Sequence, residues 1–205
     1  MRLGRVDVND YIACLIREST RRIGGFEWIV AGIVSAESGF DPNAEGDGGR
    51  SIGLLQLYVD GGQGSAYRDN PAALKDPQLN LNIGIPPIAV ATLQATQRGY
   101  TGERFIREIA RSSGHPGWVP LEAARLTNIY NHTIRLITDS KGNLVQWPTH
   151  NPAVCSGAIP PPAPLGSWSE GPAPRTQEEL DAAIHRPHER VGELVARQKG
   201  RGLPP

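Results

Sequence analysis

The sequence predicts a mainly α-helical domain with long loops, followed by an extended proline-rich tail that ends in a helix. Three observations carry that reading. Apolar residues recur at helical spacing through most of the first 147 residues. The helical stretches are separated by segments dense in glycine, asparagine and aspartate, the residues of turns and ordered loops. Past Trp147 the composition shifts to proline, with Pro148, Pro152, Pro160, Pro161, Pro162, Pro164, Pro172 and Pro174 in close succession. Such a stretch favours an extended chain and builds no core of its own. The chain therefore divides into a domain at 1–147 and a connector with a terminal amphipathic helix at 148–205.

In chain order, Ile12, Leu15, Ile16 and Ile23 define a first helix capped by Asn9 and stopped by Gly24-Gly25. A second runs from about Phe26 to Ser38. The glycine-rich segment from Gly39 to Ile52 reads as a long loop without regular structure, and long loops in compact domains are often functional. Pro71 opens a short helical turn at Asn70–Leu74. The helix that starts near Asp76-Pro77 is expected to break at Pro86-Pro87, since proline removes a helical N–H and crowds the preceding turn. Ile88 to Gln97 would resume as a separate piece. Gly102 to Ser113 follows with Phe105, Ile106 and Ile109 inward, then a turn at His115–Trp118. A last domain helix begins near Pro120 and puts Leu126, Ile129, Tyr130, Thr133 and Ile137 on one face. In the tail, Thr176–Glu179 is a capping box for a helix with an apolar stripe that needs a cover.

Composition excludes some functions. Lys plus Arg and Asp plus Glu are equal at 21 each, and no dense basic run is present, so a nucleic-acid partner is not expected. No segment reaches the roughly 20 apolar residues needed to cross a bilayer. The N-terminal residues lack the apolar core of a secretion signal. Cys14 and Cys155 are far apart and fit no metal spacing, and they read as unpaired thiols, with the redox compartment open. His185 and His188 have metal-ligand spacing without further ligands nearby, so no metal and no cofactor are expected.

The candidate chemistry sits at Glu37. It follows Ile33 by four residues, at the margin of an apolar stripe, just where Gly39 and Pro42 stop the helix. A carboxyl part-buried beside apolar groups favours its neutral form, which lifts its pKa toward the working range of a general acid. In the next block, Gly53-Leu54-Leu55-Gln56, glycine lets backbone approach a ligand and Gln56 offers both a donor and an acceptor to an N-acetyl group or a sugar hydroxyl. Asp41, Glu45 and Asp47 lie between these blocks as possible second carboxylates. His132 is a possible proton-transfer group or a bystander.

Together, Glu37-Ser38-Gly39-Phe40-Asp41-Pro42-Asn43-Ala44, Gly53–Gln56, Asp76-Pro77 with Asn80–Gly84, and Tyr130-Asn131 resemble the SLT-type lytic transglycosylases related to goose-type lysozyme. The resemblance implies a lysozyme-like helical fold, peptidoglycan as substrate, and cleavage of the bond between N-acetylmuramic acid and N-acetylglucosamine by one glutamate, Glu37. It implies substrate-binding roles for Ser38, Ser51, Gln56, Tyr130 and Asn131, with the Tyr130 hydroxyl on the glutamate. A hydrolytic goose-type lysozyme using Asp47 or Asp60 to position water is the alternative enzyme. A catalytically weak structural component of a phage tail is the alternative of another class. The tail and the absence of an export signal together point to a phage virion, with residues 148–205 docking on a tail or baseplate protein that delivers the domain to the cell wall.

Overall fold

A computed structural model describes residues 1–21, 26–112 and 119–148, with side chains omitted for 119–121. The expected helix stop at Gly24-Gly25, the turn at His115–Trp118, Cys155, the proline-rich connector and the helix from Thr176 lie outside the described residues.

The domain is built from helices α1 (Asp10–Arg21), α2 (Glu27–Ser38), α3 (Pro77–Gln97), α4 (Gly102–Arg111) and α5 (Val119–Ile137). Two small sheets accompany them. The N-terminal hairpin pairs β1 (Arg2–Leu3) with β2 (Val6–Asp7), and a three-stranded antiparallel sheet runs β3 (Glu45–Gly46), β4 (Ser51–Ile52), β5 (Leu57–Tyr58). Asn9 caps α1 as expected, its side-chain oxygen accepting from the Tyr11 N–H at 2.9 Å. The 3-10 turn at Pro71–Lys75 and the start of α3 at Pro77 also follow the sequence reading, and Asp76 caps α3 by accepting from Leu79 N at 2.7 Å.

Helix α2 is the centre of the domain. Ile29 through Ser35 are all buried, so it is apolar almost all round, the pattern of a helix enclosed by others. It packs most extensively on α5. Gly32 makes that approach possible, because a Cβ there would lie within 1.9 Å of Thr133 Oγ1. Gly39 ends α2 in the left-handed conformation, φ 61°, with its N–H on the Ser35 carbonyl.

Two expectations are corrected. The Gly39–Ile52 segment is not wholly irregular, since it supplies β3 and β4 with Glu45 opposite Ile52 and Gly46 opposite Ser51. The strands are two residues long, too short for periodicity to reveal them. Helix α3 also runs unbroken through Pro86 and Pro87. Pro86 is exposed, on the face away from buried Leu81, Gly84, Ile85 and Ile88. A proline inside a helix costs about 3 kcal/mol. Burying that apolar face, at about 1.5–3 kcal/mol per large aliphatic side chain, outweighs the cost.

The expectation of unpaired thiols is corrected as well. Cys14, wholly buried on α1, is disulfide-bonded. No spacing rule could have shown it, because the pairing depends on where the fold brings distant segments. The chain also returns to this end of the molecule at Trp147, which packs edge-on against Trp28 at 4.7 Å, while Arg17 donates to the Pro148 carbonyl at 2.8 Å.

Candidate active site

Glu37 occupies the last turn of α2, with 18% of its side chain exposed. Its partner is Arg125 of α5. Arg125 Nε donates to Glu37 Oε1 at 2.8 Å, and Nη2 lies 2.6 Å from the same oxygen. Arg125 is held in turn by the Ala110 carbonyl at the end of α4, 3.2 Å from Nη1, and by Glu122 one turn earlier, at 3.5 Å. Three helices thus meet at this carboxyl.

The Glu37 pKa nevertheless lies above its ordinary value. Burial is the largest cause, and the charges of Glu122 and Asp47 push the same way; the Arg125 charge and hydrogen bond pull it back without cancelling the rise. An acid so placed keeps a protonated fraction where an exposed glutamate has little, which is what proton donation to a leaving oxygen requires.

The glycine-rich block lies across the small sheet and is fastened to α3 by Asn80, a wholly buried side chain. Asn80 accepts from Leu55 N at 2.9 Å and donates to the carbonyls of Ile52 and Leu74, each at 2.9 Å. Gly53 has φ 76°, and a Cβ there would strike Asn80 Nδ2 and the Leu74 carbonyl at 2.4 Å, so only glycine fits both the turn and the close approach. Gly84 likewise leaves room for Leu55.

The other site residues predicted from sequence fall into distinct settings. Ser38 donates to the Val34 carbonyl at 3.0 Å. Ser51, buried on β4, donates to Asp47 at 2.5 Å and so ties the β3–β4 turn to the sheet. Gln56 has φ 47° and its Nε2 donates to the carbonyls of Ala44 and Gly53, at 3.1 and 3.0 Å, which closes the loop. Tyr130 is half-buried against the core and Asn131 is exposed, both on α5 beyond Arg125. Among the loop acids, Asp41 accepts from Asn43 N, Glu45 pairs with Lys75, and Asp60 pairs with Arg50 and Arg68. Asp47 is the loop acid whose charge is felt at Glu37.

Sequence reasoning missed Arg125 and Glu122. Both precede Tyr130 on the same helix by five and eight residues, so an acid–base pair three apart near the start of a helix that packs on α2 was the available signal. His132 is tied to α2 as well, its Nδ1 2.8 Å from the Ser35 hydroxyl. Burial, with the neighbouring Arg135 charge, lowers its pKa.

The site thus holds a part-buried carboxyl at the end of α2, paired with Arg125 and within the influence of the Asp47 charge in the β3–β4 turn. Residues 15–106 match the family model described as the Transglycosylase SLT domain. The match supports lytic transglycosylase activity on peptidoglycan, and it contains Glu37, the Gly53–Gln56 block and Asn80. It ends before α5, which brings Arg125 to Glu37. Comparison with curated proteins and with solved structures returned no match. Among the described residues no helix is long and apolar enough to cross a membrane.

Proposed function

We propose that the domain cleaves the β-1,4 bond between N-acetylmuramic acid and N-acetylglucosamine with Glu37 as the single acid and base. Glu37 gives its proton to the bridging oxygen as the bond from that oxygen to the muramyl C1 breaks, and N-acetylglucosamine leaves as the alcohol. The carboxylate then takes the proton of the muramyl C6 hydroxyl while that oxygen bonds to C1, closing a 1,6-anhydro ring and restoring the acid. No water is consumed. The observation that carries this reading is the Glu37 carboxyl itself, held above its ordinary pKa by burial although a guanidinium lies on one oxygen. The other proposed substrate contacts are Ser38, Ser51, Gln56, Tyr130 and Asn131.

Mass analysis of fragments from purified peptidoglycan tests this. Anhydromuramyl ends, lighter by one water than reducing ends, are expected. A second reading, hydrolysis with Asp47 orienting a water, is favoured by the influence of Asp47 on Glu37; reducing muramic acid ends would establish it.

The tail supports a further proposal, that residues 148–205 attach the domain to a phage tail or baseplate acting at the cell wall. Its proline-rich composition and the apolar stripe after Thr176 call for a partner surface. The disulfide at Cys14 fits work outside a reducing cytosol. Deleting 156–205, which keeps both cysteines, should spare cleavage of isolated peptidoglycan and abolish incorporation into particles.

A further inference from the structure

We propose that Arg125 is a positioning residue that decides which oxygen of Glu37 carries the catalytic proton, a reading that rests on Glu37 being the acid. Both close guanidinium contacts fall on Oε1, from Nε at 2.8 Å and Nη2 at 2.6 Å. A neutral carboxyl group accepts through its carbonyl oxygen and donates from its hydroxyl oxygen. Two N–H donors facing Oε1 leave no room for an O–H hydrogen there, so the proton resides on Oε2. That oxygen delivers the proton to the glycosidic oxygen and, as carboxylate, takes the proton from the C6 hydroxyl. The rotamer is therefore set before substrate arrives, the pre-organisation that positioning demands.

Arg125 suits the task because it is itself fixed. Nη1 donates to the Ala110 carbonyl at 3.2 Å and faces Glu122 at 3.5 Å, so the planar fork is oriented from α4 and from its own helix. A lysine would keep the charge but not two N–H groups directed at one oxygen. The charged groups felt at Glu37 are Arg125 and Glu122 of α5 and Asp47 of the β3–β4 turn. Arg125 is the one that favours the carboxylate, which also serves the second, base step.

The test is the pH dependence of kcat and kcat/KM on purified peptidoglycan for wild type, Arg125→Lys and Arg125→Met, with circular dichroism as the check on folding. In Arg125→Met the high-pH limb, which reports loss of the Glu37 proton, should move to higher pH, and kcat should fall by about 10²-fold as the carboxyl loses its orientation. In Arg125→Lys the limb should stay near that of wild type while kcat still falls. A folded Arg125→Met enzyme with the wild-type limb and kcat overturns the proposal. Should the methionine variant not fold, an unchanged kcat in Arg125→Lys overturns it equally. Glu37→Gln is run beside them. Full activity there defeats the assignment of the acid, whereas an inactive Glu37→Gln with unaffected Arg125 variants defeats this proposal alone.

Discussion

Gly32 of α2 lies against Thr133 of α5 so closely that a methyl group on Gly32 would overlap the threonine hydroxyl. Glycine inside a helix costs roughly 0.5–1 kcal/mol relative to alanine, so its presence here reflects the packing it allows. This contact sets the separation of the two helices, and with it the reach of Arg125 to Glu37.

Gly32→Ala should accordingly destabilise the domain although alanine is the better helix former. Overpacking of this kind costs about 1–3 kcal/mol. Chemical denaturation should show the loss, and activity should fall further than the residual folded fraction explains. A variant as stable as wild type would mean that α5 can withdraw freely.

Asn80 satisfies one buried N–H and two buried carbonyls that belong to other elements. Each buried group left unpaired costs about 1–3 kcal/mol, so Asn80→Leu should be among the most damaging substitutions in the domain. Asn80→Asp keeps the acceptor for Leu55 N but turns a carboxylate toward the carbonyls of Ile52 and Leu74. Its stability should drop as pH rises through the carboxylate range, a trend that thermal unfolding at several pH values would reveal.

Glu37 carries a stability signature of its own. Its pKa in the fold lies above the ordinary 4.5, so between those two values the folded state binds more protons than the unfolded chain. Stability must then fall as pH rises through that window. Glu37→Gln removes the buried charge and should raise Tm at neutral pH, with the gain vanishing as pH drops below about 4.5. A variant that is less stable than wild type at neutral pH would mean that the Arg125 ion pair outweighs burial.

Cys14 should emerge from a non-reducing digest in a disulfide-linked peptide, and reductant should lower Tm. Loss of a native disulfide costs about 2–4 kcal/mol. Recovery of Cys14 as a free thiol, with Tm indifferent to reductant, would contradict its pairing.

The parts of this molecule legible in the sequence are those governed by local rules. Helical spacing located α1, α2, α4 and α5, Asn9 announced its cap, and the match over 15–106 agrees with the family resemblance of the first three blocks. The misses share one cause, competition between local preference and tertiary contact. Pro86 and Pro87 disfavour helix locally, yet the burial of Leu81, Ile85 and Ile88 keeps α3 continuous. Strands of two residues exist because Asn80 and Ser51 fasten their turns, which no periodicity records. The site's nearest charge, Arg125, is ordinary in sequence and becomes significant only because Gly32 lets α5 settle on α2.

The mechanism stands on Glu37 as the proton donor. The most direct measurement is release of soluble fragments from purified peptidoglycan by folded Glu37→Gln, compared with wild type at the wild-type pH optimum. The amide keeps the size of the side chain but carries no transferable proton, and general acid catalysis contributes on the order of 10²–10⁴ in rate, so a loss of at least that size is expected. Activity within a few-fold of wild type would contradict the assignment.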